Sequence, residues 1–328
     1  MDGKSWRLAG LALLVMLGVS GPSTAAPAAD DGIEVKTLAL EAKAFAPEQI
    51  KLTVYLPPGY ATAGTRYPVL YANDGQDMAA VGLRETLDQL YADHAIGPVI
   101  VVAIDMLADR ASGYGLSDRK ARKSVAGDSR IGPIGSRAYD YSDWLATQLV
   151  PYIDAHYRTQ ASARGRTILG WSLGGLNAFN LGWQYPDVFG RVGAFSPSFW
   201  LAADRSSAQA IETSRLAQAM VSGSPRRNGM RWWFSVGARE ETDDRNGNGI
   251  IDAVEDVQDL INGYRSPDGT YLRGLRDLGY SVEMDYAHHP SSGTDVAFYL
   301  LPDGEHNQAT WKRVLPLFLQ WAYGTRGE

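Results

Sequence analysis

The sequence predicts an α/β fold with a mostly parallel central sheet and helices on both faces. Two observations carry this. Apolar runs of strand length alternate with amphipathic stretches of helix length along the chain, as in consecutive β–α units. The run at residues 99–104 is continuously apolar and mostly β-branched, as in strands buried on both faces of a parallel sheet.

Residues 33–55 read as two strands broken around Ala46-Pro47. A strand at 67–71 ends in the turn signal Asn73-Asp74-Gly75, and helical spacing follows at 78–95. The polar, glycine-rich stretch 109–136 reads as a long surface loop. Helices are expected at 144–157, interrupted by Pro151, and at 173–185, 255–264, 271–278 and 309–323. Further strands are expected at 166–169, 192–195, 231–236 and 296–301. No internal repeat or linker divides the chain after its first residues, so 29–328 is expected to form a single domain.

Lys4 and Arg7 precede an apolar run at 8–19, and small residues follow to Ala28. This is the pattern of a secretory signal peptide over 1–28. The run is too short for a membrane helix, which needs about 20 apolar residues. An exported protein, periplasmic or extracellular, with no membrane attachment after signal removal is expected. The 328 residues contain no cysteine, which excludes disulfides, thiolate metal sites and a cysteine nucleophile. Net charge is −6 and no basic block stands out, so nucleic acid is not an expected partner.

Gly170-Trp171-Ser172-Leu173-Gly174 has the form G-x-S-x-G, between an expected strand and an expected helix. That setting is what a nucleophile elbow requires. The turn strains the serine backbone, and the flanking glycines let the chain approach itself closely. Ser172 is the expected nucleophile, and the Leu173 N–H faces the same space as an oxyanion donor. A hydroxyl needs a base. Of five histidines, His306 follows both the serine and the last strand, as the chain order Ser, acid, His demands. His288 and His289 lie in a polar loop and read as surface residues. The acid should follow the strand at 231–236, where Glu240 leads, Glu241 is second, and Asp243 and Asp244 are possible. Gln76, in the loop after the strand at 67–71, is the expected second oxyanion donor.

These residues resemble the putative esterase family of α/β-hydrolases, which holds enterochelin esterases, S-formylglutathione hydrolases, feruloyl esterases and mycolyltransferases. The matching segments run through most of the chain after residue 28. They include Val54-Tyr55-Leu56-Pro57-Pro58-Gly59-Tyr60, residues 67–76, Gly170-Trp171-Ser172-Leu173-Gly174-Gly175, Ser196-Pro197-Ser198-Phe199-Trp200, and Gly304-Glu305-His306 with Trp311. The resemblance implies an α/β-hydrolase fold, with Ser172 as nucleophile and His306 as base. It also implies an acid three residues after a strand-ending glycine, here Glu240 after Gly237. An aspartate is frequent at that position in the family. Trp171 replaces the usual small residue before the nucleophile and is expected to narrow the substrate pocket. Trp200 either lines that pocket or packs in the core. The family's Arg-x-x-Glu-Tyr segment is replaced by Arg110-Ala111-Ser112-Gly113-Tyr114.

A second motif stands apart. Residues 244–255 fit an EF-hand-like calcium loop: Asp244, Asn246 and Asn248 at positions 1, 3 and 5, and Gly249 at the sharp turn. The Ile250 carbonyl, Asp252 and Glu255 stand at positions 7, 9 and 12. No second loop accompanies it, so a structural Ca2+ is expected, with no organic cofactor. The expected function is hydrolysis of a carboxylic ester, small-molecule or glycan-linked, through a Ser-His-Glu triad and an acyl-enzyme. The alternatives are an acyltransferase with the same triad and a non-catalytic, calcium-dependent binding protein.

Overall fold

Thirteen strands and nine helices are found in the computed structural model, which describes residues 32–129, 132–290 and 293–325. The expected signal peptide lies outside these residues. The strands are β1 (Glu34–Glu41), β2 (Gln49–Leu56), β3 (Val69–Ala72), β4 (Ile100–Ile104), β5 (Leu116–Asp118), β6 (Lys123–Val125), β7 (Arg166–Trp171), β8 (Arg191–Phe195), β9 (Arg231–Gly237), β10 (Tyr264–Arg265), β11 (Tyr271–Leu272), β12 (Val282–Glu283) and β13 (Val296–Leu301). Nine form one sheet in the order β1-β2-β4-β3-β7-β8-β9-β13-β12. The edge pairs β1–β2 and β2–β4 are antiparallel, and every pairing from β4 onward is parallel.

The helices are α1 (Leu83–Ala92), α2 (Arg110–Gly113), α3 (Ala138–Trp144), α4 (Val150–His156), α5 (Leu173–Gln184), α6 (Ala208–Ser214), α7 (Leu216–Ser222), α8 (Asp252–Asn262) and α9 (Gln308–Tyr323). They cover both faces of the sheet. Leu83, Leu87 and Leu90 of α1 join Val314, Leu315 and Phe318 of α9 in one core layer. Leu176 and Phe179 of α5 join Ile153, Val257 and Leu260 in the other. All of β4 and β7 is buried, because strands covered on both sides have no face left for water.

Several elements differ from their sequence reading. The stretch 109–136 is not a surface loop. It holds α2 and the β5–β6 hairpin, and it buries Tyr114, Leu116 and Ile134. α3 and α4 run on through one wider turn, Leu145–Leu149, and Pro151, which has no N–H to donate to the preceding turn, follows it directly. The helix expected at 271–278 is β11, paired with β10, followed by one 3-10 turn. A Cβ on Gly274 would lie 2.2 Å from the Gly263 nitrogen, so this hairpin closes only with glycine there. The α6–α7 pair had no sequence signal, since two seven-residue helices are too short to show helical periodicity.

Candidate active site

Five loops at the carboxyl edge of the sheet supply the site. They follow β3, β7, β8, β9 and β13, neighbours or near neighbours in strand order. Ser172 terminates β7 with φ 56° and ψ −125°, a strained conformation for a residue with a Cβ. The glycines around it are sterically required. A Cβ on Gly170 would lie 2.1 Å from the Gly174 carbonyl oxygen, and one on Gly174 would lie 2.4 Å from an Asp74 carboxylate oxygen.

Ser172 Oγ lies 3.0 Å from His306 Nε2, and His306 Nδ1 lies 2.8 Å from Glu240 Oε2. A carboxylate only accepts, so Nδ1 carries the proton and Nε2 is left as the acceptor for the serine hydroxyl. The Glu240 side chain is 2% exposed and that of His306 39%. Glu240 is thus shielded from water while His306 is open to it. The other Glu240 oxygen accepts the Gly237 N–H at 2.7 Å and the Ser196 hydroxyl at 2.5 Å. Ser196 in turn accepts the Trp311 indole N–H at 2.9 Å, which leaves its single proton for Glu240. Ser196 also has a positive φ, 43°. Sequence reading missed this serine; its signal was the Ser196-Pro197-Ser198 turn immediately after β8.

Glu241, the second choice for the acid, accepts the Ala253 N–H at 2.7 Å at the start of α8 instead. Burial raises its carboxyl above the usual range, partly offset by that bond. His288 contacts Asp285 on an exposed loop. Leu173 opens α5, where the first N–H groups have no partner within the helix. Gln76 lies in the 3-10 turn Gly75–Asp77, its side chain held by Asp74 and the Met106 N–H. That loop is bound to α5, the helix that follows Ser172: Asn73 Nδ2 donates to the Gly174 carbonyl at 3.0 Å.

Asp74 deepens this attachment. It is fully buried with a positive φ, and its carboxylate takes two bonds from Arg110, from Nε at 2.7 Å and Nη2 at 2.9 Å. The same guanidinium reaches the Trp171 carbonyl at 3.3 Å. Burial raises the Asp74 carboxyl, and Arg110 and Gln76 pull it back down. The pair thus links the Gln76 loop to the strand end before Ser172. Arg110→Met leaves this carboxylate buried without its partner, which costs about 3 kcal/mol. Urea unfolding should show that loss together with a fall in kcat. A variant as stable and as active as the wild type would deny Arg110 this role.

Trp171 requires a correction. It is 1% exposed, stacks on Trp311 with ring centroids 5.4 Å apart, and donates its indole N–H to Asp77 at 3.0 Å. Strand alternation turns its side chain into the α1–α9 layer with Leu169. It is packing beneath the site, not a pocket wall. Trp200 lines a cavity of about 720 Å³, with Arg205 at 5.7 Å over its ring and Ile211, Glu241 and Asp243 around it; Ser172 and His306 are not on its wall.

The 244–255 loop borders the same cavity. Gly247 and Gly249 take positive φ, and Asp244 accepts the N–H groups of Gly247, Asn248 and Gly249. The Asn246 and Asn248 amides meet the Glu255 carboxylate at 2.6–2.9 Å. Asp252 instead faces Arg245, taking its backbone N–H and its guanidinium, and the Ile250 side chain is exposed. Arg245 also pairs with Glu212 and Asp256. Among the described residues, no three acidic or histidine side chains converge as a metal cage. Here the two amides turn their NH2 groups to the Glu255 carboxylate, while their oxygens accept the Asn248 and Ile250 N–H groups.

A strained serine between strand and helix, hydrogen-bonded to a histidine that in turn meets a buried carboxylate over a parallel sheet, places the protein in the α/β-hydrolase class. The chain belongs to the putative esterase family, whose model, "Putative esterase", matches residues 44–266. It is accordingly a carboxylic ester hydrolase. It is 25% identical over 190 residues to the uncharacterized protein YbbA of Bacillus subtilis (strain 168), covering 58% of this chain and 68% of that one. It is 29% identical over 175 residues to an endo-1,4-beta-xylanase/feruloyl esterase of Xylanibacter ruminicola, covering 48% of this chain but 21% of that longer protein. A solved ferulic acid esterase shares the fold with a TM-score of 0.60 at 19% identity, over 90% of this chain and 99% of that one. Among the described residues, no helix is long and apolar enough to cross a membrane.

Proposed function

We propose that the ester is cleaved by a Ser172–His306–Glu240 triad through an acyl-enzyme. Ser172 Oγ attacks the acyl carbon while His306 Nε2 takes its proton. The tetrahedral oxyanion is held by the Leu173 and Gln76 N–H groups. The C–O bond breaks and the alcohol leaves with the proton from His306. Water then repeats the sequence and releases the acid. Glu240 holds the imidazole tautomer and stabilises the imidazolium. The unbroken hydrogen-bond chain from Ser172 to Glu240 carries this reading. A fluorophosphonate probe should label Ser172, as read by peptide mass spectrometry; absence of the label in folded protein would overturn it.

The substrate is a small-molecule or glycan-linked ester, with Trp200 lining the space for one half of it. The cavity that Trp200 lines meets the triad only through Glu241, the neighbour of Glu240, and neither Ser172 nor His306 is on its wall. A relative named as a feruloyl esterase supports including aromatic acyl esters in a substrate panel. Such a panel would set methyl ferulate against acetylated xylan and siderophore esters. Added alcohol or sugar acceptors would separate hydrolysis from acyl transfer. The chain is exported by its first 28 residues, which a fusion to a periplasmic reporter enzyme tests.

Calcium is assigned a structural role at Asp244, Asn246, Asn248, Glu255 and the Ile250 carbonyl, once the two amides turn their oxygens inward; Asp252, held by Arg245, braces the loop from outside. The ion supplies only positive charge that fixes loop geometry. The Asp243 carbonyl accepts the Asp252 N–H at 2.8 Å, and Glu241 accepts the Ala253 N–H. The loop is therefore continuous with the segment that bears Glu240. An ion present at about 100 times its Kd adds about 2.7 kcal/mol. EDTA should therefore lower Tm by roughly 5 °C and activity with it, both restored by added Ca2+. Unchanged Tm and activity after chelation would remove calcium from this account.

A further inference from the structure

The amino-terminal edge of the parallel sheet, opposite Ser172, contains a second cavity, of about 440 Å³. Arg66, Arg164 and Arg191 line it, together with Thr65 and Gln160, and no acidic residue is on its wall. The grouping follows from topology. Arg66 stands just before β3, Arg164 in the turn before β7, and Arg191 is the first residue of β8. β3, β7 and β8 are consecutive in the sheet, so three guanidinium groups far apart in sequence become neighbours.

What distinguishes them is that all three share one cavity wall that carries no carboxylate, whereas several other arginines are neutralised nearby. Arg110, Arg119, Arg166, Arg215, Arg226, Arg245 and Arg313 all pair with carboxylates. Among the described residues Arg66, Arg164 and Arg191 have no ion pair, in a protein with net charge −6. Two of them are held in place. Arg66 Nη1 donates to the Thr159 carbonyl at 3.2 Å, and Arg191 Nη1 donates to the Arg164 carbonyl at 2.7 Å. Each anchor leaves the rest of the fork for something else, and Arg191 Nε is buried with no partner. Three like charges gathered in one concave site repel one another. A doubly charged oxyanion offsets that repulsion and matches the paired donors of a guanidinium.

We propose that this cavity binds a phosphate-class oxyanion, either inorganic phosphate or the phosphomonoester end of a larger molecule. The site is separate from the ester-cleaving centre and shares no residue with it. Isothermal titration of the full protein with sodium phosphate at constant ionic strength tests it. Saturable, sub-millimolar binding is expected, shared by sulfate and absent for acetate. Arg164→Gln with Arg191→Gln should weaken it at least about 10-fold, since hydrogen bonds to charged groups are among the stronger ones. Ester hydrolysis by the double variant should be unchanged, which shows that it is folded. Cosedimentation with vesicles containing phosphatidic acid, lost in the variant, would identify a lipid headgroup as the source. Phosphate binding without cosedimentation would identify a soluble ligand. No saturable phosphate binding by the wild type, or equal binding by the double variant, would overturn the proposal.

Discussion

Ser172→Ala is expected to lower kcat for an activated ester such as p-nitrophenyl acetate by about 10⁴-fold or more, while leaving circular dichroism and Tm near the wild-type values. The magnitude follows from loss of the nucleophile, after which only oxyanion stabilisation and binding remain. Stability should hold or rise, because alanine still has to adopt the positive φ at this position but buries no hydroxyl. The helix N–H groups at Leu173 and the Gln76 loop depend on Gly170, Gly174 and the Asp74–Arg110 pair, not on the serine hydroxyl. Retention of more than about a tenth of the activity in a preparation free of contaminating esterase would rule out the acyl-enzyme route.

Glu240→Gln is the second large expected effect, a fall in kcat of about 10⁴-fold. The surroundings dictate how the amide must sit. The Gly237 N–H and the Ser196 hydroxyl both point at one oxygen of residue 240. The Trp311 indole fixes the direction of the serine proton. The amide oxygen therefore takes that place and its NH2 faces His306 Nδ1. Nδ1 must then accept, the proton moves to Nε2, and Nε2 can no longer take the Ser172 proton. Geometry and size are preserved, so the loss should appear in kcat more than in KM or Tm. Comparison of the pH–rate profiles of wild type and variant reads the tautomer effect directly. A loss below about tenfold would return the acid role to another carboxylate of the 240–244 segment.

Much of this was legible in the chain because it is local. The strand-to-helix turn around Ser172 is written in three glycines that the structure needs for close approach. β4 could be read because burial on both faces leaves no polar alternation. Glu240 and His306 followed from chain order, since each comes within five residues of the end of a strand. The 244–255 loop was visible because its donors lie within twelve residues of one another.

Misreadings occurred where the deciding contact was distant. Trp171 looked like a pocket residue, and its true partners, Asp77 and Trp311, are 94 and 140 positions away. Stretch 109–136 looked like a solvated loop because its polar residues outnumber Tyr114, Leu116 and Ile134, which turn inward against the rest of the fold. The 271–278 segment has a helical spacing of apolar residues, but pairing with β10 decided its state.

By itself, then, the sequence determined the α/β class, the strand–turn–helix setting of Ser172 and the chain order of Ser172, Glu240 and His306. Each rests on local backbone sterics or on the periodicity of burial. The tertiary structure alone decided that Ser196 and Trp311 orient Glu240, that Arg110 links the Gln76 loop to the Ser172 turn, and that three arginines share one cavity. Those arrangements depend on which strands lie side by side. Strand order is set by the packing of the whole sheet, which no short stretch of chain encodes.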